Sequence, residues 1–324
     1  MKSLLLRVVI SGGFLLLLYY LMRDDLPEIA STLSGLDPAL ALVSAVLFLS
    51  TVFVLAKRLQ LIFAAEDLSI SMRESASLTF VGYFFNNFLP TSVGGDIVKA
   101  MCAAKVTGDP VKSVTTVLMD RIFGLFTFIL IPSISLLFYL DRIDNPMVPI
   151  VVYSFLAFSI LFFFVLFHPA AARRFSFVGA LIGRYAWGAK LKSIYEGMHA
   201  FRHHKMLIAK AMALSLFGQS LSIFVLYLLS HALDARANII YFYLLVPIVH
   251  LVSMLPSLNG LGIREGAYIY FLKPYIGAES AAALGILWLA LLLLLSVIGG
   301  GIYMVRPDYH IRFGRQGTQK EAGT

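Results

Sequence analysis

The chain consists of long apolar stretches separated by short segments in which the charged residues gather. Crossing a hydrocarbon core about 30 Å thick takes roughly 20 apolar residues in a helix. The stretches that meet this length are 4–22, 38–56, 115–140, 147–167, 207–232 and 280–305. The pattern therefore predicts an all-α polytopic membrane protein with six full transmembrane helices.

Two further apolar stretches, 75–106 and 238–272, are each interrupted midway by a Leu-Pro pair and glycines. Proline and glycine in the middle of a straight spanning helix leave backbone groups to be satisfied by other partners in the membrane. The two interruptions lie about half the chain length apart. A broken segment at corresponding positions in two halves is typical of the central site of a transporter.

Basic residues predict the orientation of the spans, because lysine and arginine are enriched in cytoplasmic loops. Lys57, Arg58 and Arg73 place the end of the second span inside the cell, whereas loop 141–144, with two aspartates, lies outside. The remaining basic clusters also fall inside, at 173–205 and 306–324. Both termini are therefore expected in the cytoplasm, in the inner membrane of a bacterial or archaeal cell.

This orientation turns each interrupted segment into a re-entrant hairpin. Segment 75–106 begins and ends on the cytoplasmic side, and segment 238–272 begins and ends on the outer side. Residues 1–140 and 147–305 then form an inverted-topology repeat, in which each half contains three spans and one hairpin. The alternative is two kinked full spans, which gives eight crossing helices and different loop positions.

Composition supports the membrane assignment. Hydrophobic residues make up 59% of the 324 residues and charged residues 14%, whereas soluble domains are about 45–50% apolar. We interpret the net charge of +8 as cytoplasmic loops that face anionic lipid, and we expect no nucleic-acid binding. The single cysteine, Cys102, excludes an intramolecular disulfide and a cysteine-based metal site. No metal and no cofactor are predicted.

Segment 173–205 mixes aromatic and aliphatic residues with seven basic side chains. An interfacial helix on the inner leaflet fits this mixture. An ordinary basic cytoplasmic loop fits it equally well. The residues from about 308 onward are polar, so we expect a short cytoplasmic tail.

The first hairpin carries polar residues suited to an anionic headgroup. Glycines let a backbone approach a ligand closely, and unpaired amide groups at a helix start attract phosphate. In the alternative interpretation, Asp96 only caps a helix and Lys99 reaches the inner membrane surface. The candidate ligands are Asn86, Asn87, Gly94, Gly95, Asp96 and Lys99.

The second hairpin offers a similar set. Arg264 is the leading phosphate ligand, because a guanidinium group presents a fork of donors, and Glu265 is its orienting partner or a proton acceptor. A local ion pair near the outer interface is the alternative. His250 alone is more typical of a core residue. The candidate ligands are Asn259, Gly260, Gly262, Arg264 and Glu265.

Two charged residues lie deep in the span 115–140, where each needs compensation. We expect Asp120 to reach toward Lys99 and Arg121 to reach toward a lipid phosphate, unless both serve as a structural clamp on the first hairpin. Elsewhere, Ser215, Gln219 and Ser222 share one helix face, which favours interhelical hydrogen bonds. The glycines 299–301 indicate close helix packing or a bend.

Three of these motifs together resemble the lysylphosphatidylglycerol synthase transmembrane (flippase-like) family, over roughly residues 5–305. The motifs are Asn86 to Pro90 with Gly94 to Asp96, Asp120 to Gly124, and Leu255-Pro256 with Gly260 to Gly266. In the bacterial synthase, a similar domain is associated with moving aminoacylated lipid between leaflets, and a separate soluble domain makes that lipid. The resemblance, with only a short tail after the last span, implies transport or an accessory role without lipid aminoacylation.

The sequence therefore predicts a lipid translocator rather than an enzyme. Its expected partners are membrane lipids with an anionic or zwitterionic phospholipid headgroup. Two alternatives stay open, a membrane enzyme and a scaffold in cell-envelope lipid or glycolipid synthesis. A second copy of the chain or an envelope-biosynthesis enzyme is a further candidate partner.

Overall fold

The computed structural model describes residues 12–13, 16–17, 19–20, 22–89, 93–139, 147–168, 186–255 and 260–310. Within these ranges the regular structure is entirely helical, as predicted. The α-helices are α1 Leu26–Ser34, α2 Pro38–Ala65, α3 Met72–Phe88, α4 Gly94–Thr107, α5 Pro110–Tyr139, α6 Met147–Phe167, α7 Ala186–Ala200, α8 Lys205–Ala232, α9 Ile239–Val252, α10 Ile263–Ile276 and α11 Ala278–Val305. Short 3₁₀ turns follow α7 and α11, at Phe201–His203 and Pro307–Tyr309.

Five helices, α2, α5, α6, α8 and α11, are long and apolar enough to cross a membrane. They correspond to five of the six predicted spans, which confirms a multi-pass membrane protein. The first predicted span, 4–22, lies largely outside the described residues. Within 173–205, residues 186–200 form α7, which packs against α5 and α6, whereas 173–185 lie outside the described part of the chain.

Helix α2 is longer than its predicted span of 38–56. It begins at Asp37, whose carboxylate accepts hydrogen bonds from the backbone amides of residues 39 and 40 at 2.8 and 3.2 Å, a typical N-cap. It continues to Ala65 because Leu59, Ile62 and Phe63 extend its buried face. The assignment of Arg58 to a cytoplasmic loop was therefore wrong, since Arg58 is a buried helical residue.

Both interrupted segments are helix pairs in the structure. Helices α3 and α4 contact each other across the first interruption, and α9 and α10 contact each other across the second. Gly260 and Gly262, before α10, have φ values of 78° and 82°, a left-handed conformation that glycine adopts without strain. The turn that leads into α10 therefore depends on these two glycines.

The two ends of the first pair lie at the same end of the helix bundle. Lys112 Nζ, near the start of α5, donates to the carbonyl of Glu66, just after α2, at 2.7 Å. Arg306, after α11, bonds Glu74 in the first turn of α3 at 2.7 Å. Lys105 Nζ, near the end of α4, bonds the carbonyl of His310 at 2.6 Å. The start of α3 and the end of α4 thus lie beside the ends of α2 and α11.

The ends of the second pair meet at the other end of the bundle. The backbone amide of Asp37, before α2, donates to the carbonyl of Ala232, the last residue of α8, at 2.9 Å. Tyr241 at the start of α9 and Tyr275 at the end of α10 stack with ring centroids 3.9 Å apart. The two helix pairs therefore enter the bundle from opposite ends.

Helix α11 packs closely on α3 through glycines. A side-chain carbon at Gly299 would overlap the backbone carbonyl of Phe80, and one at Gly300 would lie 2.9 Å from the ring of Phe84. The predicted close packing is confirmed for these two positions. Gly301 differs, because a side-chain carbon there would meet no atom within 4 Å.

Candidate functional site

A cavity of about 310 Å³ lies inside the bundle. Helices α2, α3, α4, α5, α8, α9, α10 and α11 contribute residues to its walls. Polar residues from both interrupted segments reach it. The first segment supplies Asn86, Asn87, Asp96 and Lys99, and the second supplies His250, Ser253 and Arg264. The two broken segments therefore line one common space.

A buried ion cluster occupies one wall of the cavity. Asp120 of α5 accepts a hydrogen bond from Arg58 Nε at 2.7 Å and another from Lys99 Nζ at 2.9 Å. These three residues come from α5, α2 and α4. Each residue, counted with its backbone, is no more than 7% exposed. The predicted contact between Asp120 and Lys99 is confirmed. Because unpaired charges are costly in a buried site, the cluster fixes the relative positions of the three helices.

A second ion pair extends this cluster. Arg121 Nη1 donates to the carboxylate of Asp96 at the start of α4. Lys99 Nζ also lies 3.7 Å from the other oxygen of Asp96. Arg121 has 22% of its side chain exposed, more than the 8% of Arg58 or of Lys99. Within the cluster, Arg121 is therefore the cation most accessible to an incoming anion.

Arg264 forms a separate pair with its neighbour in sequence. Its Nη2 and Nε lie 2.8 and 3.1 Å from Glu265 Oε1. The other carboxylate oxygen of Glu265 accepts from the backbone amide of Gly262 at 2.7 Å, which caps α10. Glu265 is therefore the ion-pair partner of Arg264, as both predicted interpretations of this pair require. Arg264 is 4% exposed and lines the cavity.

Cations outnumber carboxylates in these two clusters. The described cations are Arg58, Lys99, Arg121 and Arg264, and the described carboxylates are Asp96, Asp120 and Glu265. Each of these carboxylates already contacts at least one cation. The excess of one positive charge suits an anionic group such as phosphate.

The two asparagines of the first segment hold helices together as well as lining the cavity. Asn86 Oδ1 accepts from the amide of Gly95 at 2.9 Å. Asn87 Nδ2 donates to the carbonyl of Leu292 at 3.1 Å and also bonds Ser296, both in α11. These bonds tie α3 to α4 and to α11.

The predicted glycines serve the backbone rather than the cavity surface. A side-chain carbon at Gly95 would overlap the carbonyl of Gly82, so this glycine permits the close crossing of α3 and α4. Gly94 is buried at the start of α4. Gly260 and Gly262 form the turn before α10. Asn259, the last predicted ligand, lies outside the described residues.

Two polar groups on the cavity wall have no hydrogen-bond partner among the described residues. They are the amide nitrogen Nε2 of Gln219 in α8 and the ring nitrogen Nδ1 of His250 in α9, and both atoms are buried. The other ring nitrogen of His250 lies 3.2 Å from the hydroxyl of Tyr268. Its ring also stacks on Trp288 at 5.5 Å.

Sequence reasoning missed Arg58 as a site residue and underestimated Gln219. Arg58 also donates to Ser215 of α8 at 3.0 Å, so the predicted interhelical bond from this face of α8 is confirmed for Ser215. The apolar residues that follow Lys57 were the signal that α2 continues past Arg58. Nowhere in the described ranges do three His, Cys, Asp or Glu side chains come together as metal ligands would.

One protein family matches nearly the whole chain. No curated protein matches the chain. The family described as the lysylphosphatidylglycerol synthase TM region matches residues 4–300. The chain therefore belongs to this family, as the three sequence motifs predicted.

Proposed function

We propose that this member of the lysylphosphatidylglycerol synthase TM region family moves a lipid with an anionic or zwitterionic headgroup between the two leaflets. The observation that supports the proposal is the common cavity, which both broken segments line and which carries an excess of positive charge. The headgroup would enter this cavity while the lipid tails remain in the bilayer.

In this proposal the chain has six spans and two re-entrant hairpins, arranged as an inverted repeat in the inner membrane. Helix lengths support it. Helices α4, α9 and α10 have 14 residues each and rise about 21 Å, which is short of a hydrocarbon core of about 30 Å. The entry of the two pairs from opposite ends of the bundle also supports it. The end with Lys105 and Lys112 would face the cytoplasm.

Three of the four cavity cations take part in the proposed transport. Arg264 would hold the phosphate by its guanidinium fork, and Arg121 and Lys99 would share the negative charge. An arriving phosphate would replace Asp96 at Arg121 and Glu265 at Arg264. The two carboxylates released in this way would receive a coupling proton. Rocking of one repeat against the other would then open the cavity to each leaflet in turn.

Leaflet exchange of fluorescent phospholipids in sealed proteoliposomes tests the proposal. We expect Arg264→Ala to slow exchange at least about tenfold, because one lost charged hydrogen bond is worth roughly 1.5–3 kcal/mol. Arg264→Lys keeps the charge but loses the fork, so an intermediate rate is expected. Lys57→Ala is the matched control, since Lys57 is exposed and bonds only Gln60 among the described contacts.

If a folded Arg264→Ala variant exchanges lipid at the same rate as the native protein, lipid does not pass through this cavity. Absence of exchange by the native protein over a broad lipid panel would favour the alternative class, a membrane enzyme or scaffold in envelope lipid synthesis. An enzyme would turn over lipid in detergent, where no second leaflet exists. Size-exclusion profiles and melting temperatures of each variant separate loss of function from loss of fold.

A further inference from the structure

The cavity contains two buried polar atoms that no described residue satisfies, Gln219 Nε2 and His250 Nδ1. Leaving a buried donor or acceptor unpaired costs roughly 1–3 kcal/mol, so native proteins seldom keep such atoms without a reason. Neither atom belongs to the ion clusters described above. Both residues line the same cavity, and we call the cavity wall that they form the neutral subsite.

The chemistry of these two atoms limits what the neutral subsite can bind. An amide nitrogen only donates, so Gln219 Nε2 requires an acceptor. His250 shares one ring nitrogen with the hydroxyl of Tyr268, and its Nδ1 donates or accepts according to the tautomer. A hydroxyl group suits each atom, because its oxygen accepts from Gln219 and its proton is available to the histidine. A glycerol or sugar group supplies hydroxyls of this kind.

Aromatic rings contact His250 in the neutral subsite. The His250 ring stacks on Trp288 with the ring centroids 5.5 Å apart. It also contacts Phe128 in a T-shaped arrangement, with the centroids 5.4 Å apart and the ring planes at 87°. Both aromatic residues line the cavity. Apolar walls with a few placed polar groups are typical of small-molecule sites. They suit the carbon-bound hydrogens of a glycerol or sugar.

A substituent that carries an ammonium group fits this cavity poorly. An ammonium only donates, so it offers no acceptor to Gln219 Nε2, and in an aminoacylated glycerol only the ester carbonyl or the remaining hydroxyl supplies one. Asp96, Asp120 and Glu265 already contact cations, and the described clusters hold one positive charge in excess. Adding a further cation to a partly buried site of this kind is unfavourable at short range.

We infer that the cavity selects lipids whose phosphate carries a neutral, hydroxyl-bearing substituent, either glycerol or a sugar, and discriminates against aminoacylated headgroups. This inference rests on the proposed function, because it names the headgroup that the same cavity accepts. The phosphate binds Arg264 and Arg121, and the hydroxyls bind Gln219 and His250. Phosphatidylglycerol and sugar phosphates on isoprenoid chains share this chemistry.

Retention of short-chain lipids by the purified protein in detergent, measured by native mass spectrometry, tests the inference without requiring two leaflets. Phosphatidylpropanol is the matched control for phosphatidylglycerol, since it has the same charge and size but lacks both hydroxyls. We expect phosphatidylglycerol to be retained about tenfold better than phosphatidylpropanol or lysylphosphatidylglycerol. A sugar-linked isoprenoid phosphate forms a further arm, and whichever hydroxylated lipid is retained better identifies the source.

Two variants sharpen this test. Gln219→Leu should reduce the preference for phosphatidylglycerol over phosphatidylpropanol to about twofold or less, because the donor is lost. Gln219→Glu introduces an acceptor and a negative charge, so it should raise retention of lysylphosphatidylglycerol relative to phosphatidylglycerol. Either variant suffices if the other fails to fold.

Equal retention of phosphatidylglycerol and phosphatidylpropanol by the native protein would overturn the inference, as would stronger retention of lysylphosphatidylglycerol. Selective retention without leaflet exchange would support the inference and contradict the proposed transport. Leaflet exchange at equal rates for phosphatidylglycerol and phosphatidylpropanol would support the proposed transport and contradict the inference. The two failures are therefore distinguishable.

Discussion

The two broken segments use their charges differently. In the first, Lys99 of α4 bonds Asp120 of α5, so the charge links two helices that are separate in the chain. In the second, Arg264 bonds Glu265, the next residue, and the pair stays within the first turn of α10. One segment is attached to its neighbours by ion pairs, whereas the other satisfies its charges internally.

Other contacts follow the same division. Helix α3 is held to α11 by Asn87 and by the close approach at Gly299, whereas α10 packs through buried apolar residues such as Tyr268 and Leu272. In the proposed transport, a phosphate would take Arg264 from Glu265 while these apolar contacts stay intact. Glu265 still caps α10 through Gly262. The first segment is the half of the cavity that ion pairs hold to other helices, and the second is the half whose ion pair lies within one helix.

The largest effect that tests this comparison is expected at Asp120. Asp120→Asn leaves Arg58 and Lys99 buried without their common carboxylate, which should cost about 3–5 kcal/mol of stability. Glu265→Gln takes the carboxylate from one cation, Arg264, rather than from two, so a smaller loss is expected. Thermal unfolding of both variants in the same detergent gives the comparison.

A rescue variant controls for unrelated damage. Lys99→Met in the Asp120→Asn background removes one of the two stranded cations, so part of the lost stability should return. Equal losses for Asp120→Asn and Glu265→Gln would contradict the view that only the first segment is braced by its charges.

The limits of sequence prediction differ between the two halves of this comparison. The Arg264 and Glu265 pair was predictable, because neighbouring residues at a helix start interact locally. The partner of Arg58 was not, since Asp120 lies 62 residues away and meets it only when α2 packs beside α5. A basic residue next to Lys57 has the pattern of a cytoplasmic loop, and its burial depends on that distant carboxylate.

The same distinction holds for the fold and the rest of the cavity. Five spans were predictable from apolar length alone, and the two interruptions were predictable from proline and glycine. The common cavity was not, because it depends on how eight helices pack. Gln219 could be assigned to a polar helix face from its spacing with Ser215. Its spacing does not show that the amide nitrogen lacks a hydrogen-bond partner. That follows from the packed structure, in which no described neighbour supplies an acceptor.

A smaller effect is expected from two glycines of α11, one facing each segment. Gly299→Ala would force a side-chain carbon into the carbonyl of Phe80, and overpacking of this kind typically costs about 1–3 kcal/mol. At Gly285 the added carbon would lie 3.6 Å from Glu265 and 3.7 Å from Tyr268, an ordinary contact. Gly285→Ala should therefore leave the melting temperature unchanged or raise it slightly.

These two variants are matched in chemistry and helix, so the difference between them reports the packing alone. A melting temperature that falls equally in both would mean that α10 lies as close to α11 as α3 does. Gly301→Ala gives the baseline for an alanine that touches nothing.

The smallest effect concerns the turn after α11, which braces the first segment only. Tyr309 is fully buried and donates to Glu74 of α3 at 2.5 Å. Burial, followed by the Glu74 carboxylate, raises the pKa of the Tyr309 phenol above its usual value. The neutral phenol is therefore the form that stabilises the fold. Its contribution is complete below about pH 10 and is lost as the pH rises through the raised folded pKa.

Tyr309→Phe removes this hydrogen bond and should cost about 1 kcal/mol at pH 8. The difference in melting temperature between native protein and variant should then narrow above about pH 10, because only the native protein has a phenol to ionise. A difference that stays constant from about pH 8 to pH 11 would mean that this hydroxyl does not titrate with unfolding. In that case the brace on α3 depends on the Arg306 and Glu74 pair, which Tyr309→Phe leaves in place.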